Sequence, residues 1–332
     1  MRKILALLWA ASIVIGLSFS IQQDTARLHS YQVIRVKDLK PDFQKDEMAN
    51  LSAPVALASA LGSLFVVDSQ ECEVRLFSRE GLFLRVLGRR GQGPGEFSSP
   101  ADIDFFENKL YVADRFNSRI QILDKNGSYL RSFKVPLHPD QICVLDPERI
   151  VVSQLPLGLN EKEKLIYCFN PKGEVLWTRE DSFFSGDRVY DTFRNFSILN
   201  NGGRGDLYLI RKCNERVISH YDKDGRSLPG IGVSSAYSFK KIALPLGGKK
   251  KELQGFCWDS VFYQDEFYFL APEYTKDNDL GPGRQVSVLA KDGRATRVIE
   301  LPDPVKKIAL SQDRIFAIDL ENNLRVFGFE TK

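Results

Sequence analysis

The chain has 332 residues with 46 basic and 43 acidic side chains, three histidines and five cysteines. That near-neutral balance leaves no electrostatic footprint for nucleic acid, which shows up as a strongly basic domain or stripe. The odd cysteine count, without any CxxC, excludes a disulfide scaffold, and the scattered histidines form no zinc-ligand pattern.

The chain opens with Met1-Arg2-Lys3, followed by an apolar run from Ile4 to Phe19 and the polar Gln22-Gln23-Asp24. This layout predicts a secretory signal peptide over 1–20, with Ser18 and Ser20 as the small residues before the cut. Cleavage would leave 312 residues with 44 basic and 43 acidic side chains. No membrane span is expected in the mature chain. Cys72, Cys143, Cys168, Cys213 and Cys257 all lie in the exported part, and the commoner fate of such thiols is burial as small hydrophobes.

Next comes a repeat. "GSLFVVDSQECEVRLFSREGLFLRVLG" (Gly62–Gly88) aligns with "NKLYVADRFNSRIQILDKNGSYLRSFK" (Asn108–Lys134) at an offset of 46 residues, which puts Asp68 on Asp114 and Gly81 on Gly127. The same step reaches Gly173, and looser copies carry Gly225 and Gly293. Self-similarity at this period marks a repeat architecture. Within a unit, Leu110/Val112 and Ile120/Ile122 alternate with their neighbours as half-buried strands do. Asn126-Gly127, Asp224-Gly225 and Asp292-Gly293 are two-residue hairpin signals. Helical periodicity is absent.

Six four-stranded units predict an all-β chain: a six-bladed β-propeller occupying 21–332, with blades starting near Pro54, Pro100, Pro139, Phe193, Phe256 and Val305. The last copy lacks its closing strand. Residues 31–39, "YQVIRVKDL", are the candidate to complete it, which would tie the chain ends together. The glycine-rich "GRRGQGPGEF" (Gly88–Phe97) then becomes an inter-blade connector, since its spacing fits neither phosphate-binding glycine pattern.

With those residues in view, the stretch from Gly88 to Phe133 resembles an NHL repeat, in which G-x-G-P-G-E-F precedes a proline, an alternating strand, Y-V-A-D, R-I-Q and N-G. The resemblance implies a six-bladed propeller of the exported bacterial type. It implies no single function, because the family includes binding platforms and lyases.

Asp68, Asp114 and Asp319, with Asn117 and Arg119, recur at the bend between second and third strands, and such polar side chains usually fix turns. The face carrying these bends surrounds the channel mouth and is the default binding surface. Asp102, Arg115, Arg194, Arg211 and Lys212 are its candidate ligand-binding residues, a cation-rich rim suited to an acidic peptide, glycan or carboxylate. Two insertions break the rhythm, Ser182–Asp191 and Ser227–Gly255, the second holding Tyr237, Phe239 and Lys249-Lys250-Lys251. Long insertions of this kind are often functional. Arg204-Gly205-Asp206 and the sequons at Asn50, Asn126 and Asn195 are too common as patterns to alter the reading.

No nucleophile paired with a base is evident, and no cofactor is expected. The sequence therefore favours a monomeric, noncatalytic platform for a protein or envelope component. The alternative is a metal-assisted lyase or lactonase, whose calcium or magnesium ion would sit on oxygens such as those of Asp102 and Asn195.

Overall fold

The structure, a computed structural model, describes residues 32–39, 49–234, 240–246, 249–274 and 280–328. The expected signal peptide, Tyr237 and Phe239 lie outside the described residues.

Six antiparallel sheets follow one another around a central axis. Blade one comprises Pro54–Ala60, Ser63–Asp68, Glu73–Ser78 and Phe83–Leu87, and blade two Pro100–Phe106, Lys109–Asp114, Arg119–Asp124 and Tyr129–Lys134. Blade three is Pro139–Asp146, Arg149–Gln154, Lys164–Phe169 and Val175–Asp181, and blade four Ser197–Asn201, Leu207–Arg211, Val217–Tyr221 and Ser227–Gly232. Asp259–Tyr263, Glu266–Tyr274, Leu280–Ala290 and Ala295–Glu300 form blade five, while blade six has Val305–Ser311, Arg314–Asp319 and Leu324–Gly328. The chain is a six-bladed β-propeller.

Its core is divided among the blade interfaces. Each second strand is apolar on both faces because a neighbouring blade covers each: Phe65 and Val67 pack toward blade two, Leu64 and Val66 toward blade six. Period-two alternation sends successive side chains to opposite faces, so one strand feeds two clusters. Among the described residues there is such a cluster between every adjacent pair of blades, including six and one. Burying each Leu, Val or Phe in them contributes about 1.5–3 kcal/mol, and the ring has no uncovered end.

Closure uses the N-terminal strand in two pieces. Lys37–Asp38 pairs antiparallel with Leu324–Gly328 and supplies the missing fourth strand of blade six. The preceding Gln32–Arg35 does something the repeat does not predict: it pairs parallel with Ala295–Glu300 as a fifth strand on blade five. Ile34 and Val36 pack on the core between those two blades, so their burial holds the segment across both outer edges.

The turns between third and fourth strands also differ from expectation. They are three-residue loops ending in a left-handed glycine, as at Gly127, where Gly127 N–H donates to Asp124 O (2.9 Å) and Asp124 N–H to Ser128 O (2.8 Å). A register shift follows in the strand pair. Types of hairpin with a bulge need glycine at that position, which a sequence signal of Asn-Gly does not separate from a two-residue loop. Gly81, Gly173, Gly225 and Gly293 repeat the arrangement. Close approach adds a second demand at Gly293 (φ +84°), where a Cβ would lie 2.2 Å from Gly232 O on the preceding blade. Gly293→Ala is expected to cost at least about 2 kcal/mol by chemical denaturation, the left-handed conformation alone costing about 1–2 kcal/mol. Gly62→Ala (φ +69°), where a Cβ meets open space, should cost less.

Two expectations need correction. A helix, Arg188–Asn195, occupies the first insertion. It is short and polar, so apolar periodicity did not reveal it, but Asp187 caps it by accepting from Tyr190 N–H. Blades four and five accordingly start at Ser197 and Asp259, later than Phe193 and Phe256. In the second insertion, Ser227–Gly232 is blade four's last strand, and Lys240–Leu246 pairs with Lys249–Gly255 as an added hairpin.

Candidate channel site

Strand order fixes two faces. Bends between second and third strands and the connectors between blades lie on one face, the mouth face; turns between first and second and between third and fourth strands lie on the other. The helix and the added hairpin are both connectors, so both decorate the mouth face.

At the mouth, the recurrent aspartates organise connectors. Fully buried Asp114 accepts from Ser98 N–H (2.7 Å), Asn117 Nδ2 (2.8 Å), Arg119 Nε (2.7 Å) and Gln121 Nε2 (3.1 Å). Arg119 in turn donates to Gln92 O, Gly93 O and Glu96 O, and Asn117 to Gly91 O. The glycine-rich connector is therefore pinned by blade two's own bend. Asp68 accepts from Ser52, Ala53 and Glu71 N–H, and Asp319 from Glu321 and Asn323 N–H.

The central channel is a cavity of about 290 Å³ walled by the first strands of all the blades. An innermost strand has one edge unpaired, and its N–H groups need acceptors. The preceding blade supplies them from side chains: Asp102 Oδ2 to Ile142 N (2.9 Å), Asp104 Oδ2 to Val144 N (2.7 Å), Gln141 Oε1 to Leu199 N (3.3 Å), Asn200 Oδ1 to Phe262 N (2.9 Å) and Asp259 Oδ2 to Ile308 N (2.9 Å). Lys307 Nζ stands 3.3 Å from Asp259 Oδ1. At the position corresponding to Asp102, blade one has Ala56 and blade six Lys307, so the wall there lacks an acceptor.

Burial pushes the Asp102 carboxyl up to about 7, against the opposing pull of Ile142 N–H and Lys307. Burial likewise raises Asp104 to about 6, opposed by Val144 and Phe105 N–H. For Lys307 burial works against the charge, but Asp259, Asp102 and Asp140 outweigh it and the pKa rises. Lys212 is lowered, by burial first and then by the Lys307 charge.

Raised carboxyl pKa values mean that the folded chain holds protons the unfolded chain, titrating near 4, has lost. The associated stability is complete below about pH 4 and is lost as pH rises through about 6 at Asp104 and about 7 at Asp102. Both side chains are half-buried and partly screened, so the expected effect is on the order of 1–2 kcal/mol. Denaturant midpoints measured from pH 4 to 8 should therefore fall less steeply for Asp102→Asn/Asp104→Asn, whose amide oxygens still accept the two N–H bonds. An unchanged slope would contradict these pKa directions.

Of the rim candidates, the structure places Asp102 on the channel wall and Lys212 at the mouth, close enough for its charge to interact with Lys307, Asp259 and Asp140. Arg115 reaches the next blade, ion-paired with Asp140 and 3.4 Å from Pro139 O. Arg194 and Arg211 do not join them. Arg194 lies over the Phe183 ring, 4.5 Å from its centroid. Buried Arg211 binds Glu180 (2.7 Å), which also accepts from Tyr221, between blades three and four. Asp102 and Asn195 are not brought together as a metal site: Asn195 Oδ1 accepts from Phe183 N–H (2.7 Å) and Nδ2 donates to Phe183 O (2.9 Å). Asn195 lines a separate cleft of about 170 Å³ beside the helix. Among the described residues no group of three or more His, Cys, Asp and Glu side chains could hold a metal ion.

Lys307, Asp104, Asp259, Asn200 and Gln141 did not stand out in the sequence. The available signal was the run of polar residues in otherwise apolar first strands, with Asp102 and Asp104 two apart and hence on one face.

A family model described as a 6-bladed beta-propeller matches residues 47–174, a span that contains the NHL-like stretch. Among solved structures, a Bacteroides fragilis protein assigned to the exported class superposes with a TM-score of 0.58 at 10% identity, over 91% of this chain and 100% of that one. A member of the DUF4221 family from Bacteroides vulgatus gives 0.55 at 12% identity, covering 84% and 92%. Virginiamycin B lyase from Staphylococcus aureus gives 0.52 at 10%, covering 85% and 98%. At these identities the likeness is one of fold. No curated protein sequence matches significantly.

Proposed function

We propose that the protein is an exported, monomeric propeller of NHL type that binds a protein or envelope component through its mouth face, without catalysing a reaction. The observation that carries this reading is the clustering of departures from the repeat on one face. Helix Arg188–Asn195 and hairpin 240–255 both extend it. Phe116, Phe184, Val189 and Leu320 expose between 48% and 51% of their surfaces in bends and connectors there. Large apolar side chains exposed on loops at a propeller's mouth are candidates for contact with a partner. Export is supported by the basic start and apolar run at the N-terminus; among the described residues no helix is long and apolar enough to cross a membrane.

The test is cross-linked affinity capture from the native exported fraction. The wild-type chain is compared with Phe116→Ser/Phe184→Ser on the mouth face and with Leu61→Ser, which is 62% exposed in a turn on the opposite face. A stoichiometric partner retained by Leu61→Ser and lost by the double variant supports the reading. Retention by the mouth-face variant with loss in Leu61→Ser refutes it.

A further inference from the structure

We propose that the cleft beside helix Arg188–Asn195 receives an acidic side chain of the protein partner, with its carboxylate on the Arg188 guanidinium. This rests on the mouth-face reading and names a chemistry that the face recognises. The cleft exists because two departures from the repeat meet. Residues 155–163 link the second and third strands of blade three, where blade two uses only 115–118, and the connector that carries the helix folds back against them. Ser182 N–H donates to Glu163 O (2.8 Å) and Ser182 Oγ to Asn160 O (2.6 Å), which fixes one loop on the other. Gly158 and Gly186, one from each loop, line the cleft, and a Cβ on either would meet open space.

What the cleft can bind follows from which of its polar groups are already matched. Asp191 accepts from Ser185 N–H (3.0 Å), Ser185 Oγ (2.6 Å) and Gly186 N–H (3.1 Å). Both amide atoms of Asn195 are held by Phe183, the Thr192 hydroxyl donates to Arg188 O (2.7 Å), and Asn160 Nδ2 donates to Glu163 Oε1 (2.6 Å). Arg188 remains. It lines the cleft, is exposed, and its guanidinium makes no hydrogen bond or ion pair among the described residues. The unmatched capacity is therefore a planar fork of donors, which a carboxylate fits with two parallel bonds. Pro156, Leu159 and Phe184 line the same cleft and offer apolar surface to the methylenes of a glutamate. Its volume of about 170 Å³ falls below the roughly 300–1,000 Å³ of small-ligand sites. The cleft thus has room for one side chain, and the rest of the peptide would lie on the surrounding mouth face.

The test is an NMR titration of the isotope-labelled protein with acetyl-Leu-Glu-Leu-amide, with its glutamine counterpart and with glutarate. The glutamyl peptide is expected to shift the amide signals of 157–160 and 184–192. Binding should weaken about tenfold or more for the glutamine peptide and in Arg188→Met, as for the loss of a charge-assisted hydrogen bond. Lys125→Met, in an exposed turn on the opposite face, should bind as wild type. The inference is overturned if the glutamyl peptide leaves those signals unmoved, if the glutamine peptide binds equally well, or if Arg188→Met keeps the wild-type affinity. Glutarate binding as tightly as the peptide would also overturn it, by making a free dicarboxylate the occupant. Matching unfolding midpoints of Arg188→Met and wild type, measured alongside, exclude misfolding as the cause of a loss. A partner captured equally by wild type and Arg188→Met, yet lost by Phe116→Ser/Phe184→Ser, would remove this site and leave the mouth-face reading standing. Peptide binding in the cleft without any captured partner would keep the carboxylate site while the partner reading fails.

Discussion

Replacing Asp114 with alanine is expected to lower stability by about 3–5 kcal/mol, the range for removing one partner of a buried ion pair. The size follows from what the carboxylate leaves behind. Arg119 is 8% exposed and has Asp114 as its one carboxylate partner among the described residues. Without it, a buried guanidinium keeps only carbonyl acceptors, and Asn117, Gln121 and the Ser98 N–H each lose a bond. The connector Gly88–Phe97 depends on those same side chains. Hydrogen exchange in the variant should therefore accelerate first in residues 90–98, ahead of the strands of blade two. Asp114→Asn keeps an acceptor but not the charge and should fall between. A loss under about 1 kcal/mol in Asp114→Ala would mean that the bend is not what holds the connector.

Removing residues 1–39 should have the other large effect, a drop in melting midpoint on the order of 10 °C or failure to accumulate as soluble protein. Blade six would lose its fourth strand and blade five its fifth, exposing the backbone edges of Leu324–Gly328 and Ala295–Glu300. The cluster between these blades would lose Ile34 and Val36, and Arg325 its pairing with Asp38. Unpaired edges also invite association with other chains, so light scattering should rise with temperature earlier than for the full chain. Arg325→Met, which removes this ion pair but keeps the strands, should cost far less. A truncated chain that melts like the full one would show that closure does not depend on this segment.

Much of this architecture is legible because repetition makes each local signal count several times. Asp68 and Asp114, one repeat apart, and the recurring turn glycines fix the register of blades before any single strand is certain. The second strands read clearly because neighbouring blades cover both of their faces. The closing segment was visible as a strand, yet its division between two blades was not, since pairing direction leaves no trace in "YQVIRVKDL". Helix Arg188–Asn195 escaped for the opposite reason: it is used once, is polar, and packs through Asp191 and Asn195 rather than through an apolar stripe. The site was legible in part. Arg115, Arg194 and Arg211 look alike as exposed cations in a sequence, and only three-dimensional proximity to Asp140, Phe183 and Glu180 shows them to be engaged.

A hydrogen-exchange footprint of the protein with and without its captured partner shows whether the mouth face is the binding face. Slowed exchange is predicted in 184–195, 212–216 and 252–258, with no change in the opposite turns at 59–63, 203–206 and 290–294. Protection confined to those opposite turns would contradict the account.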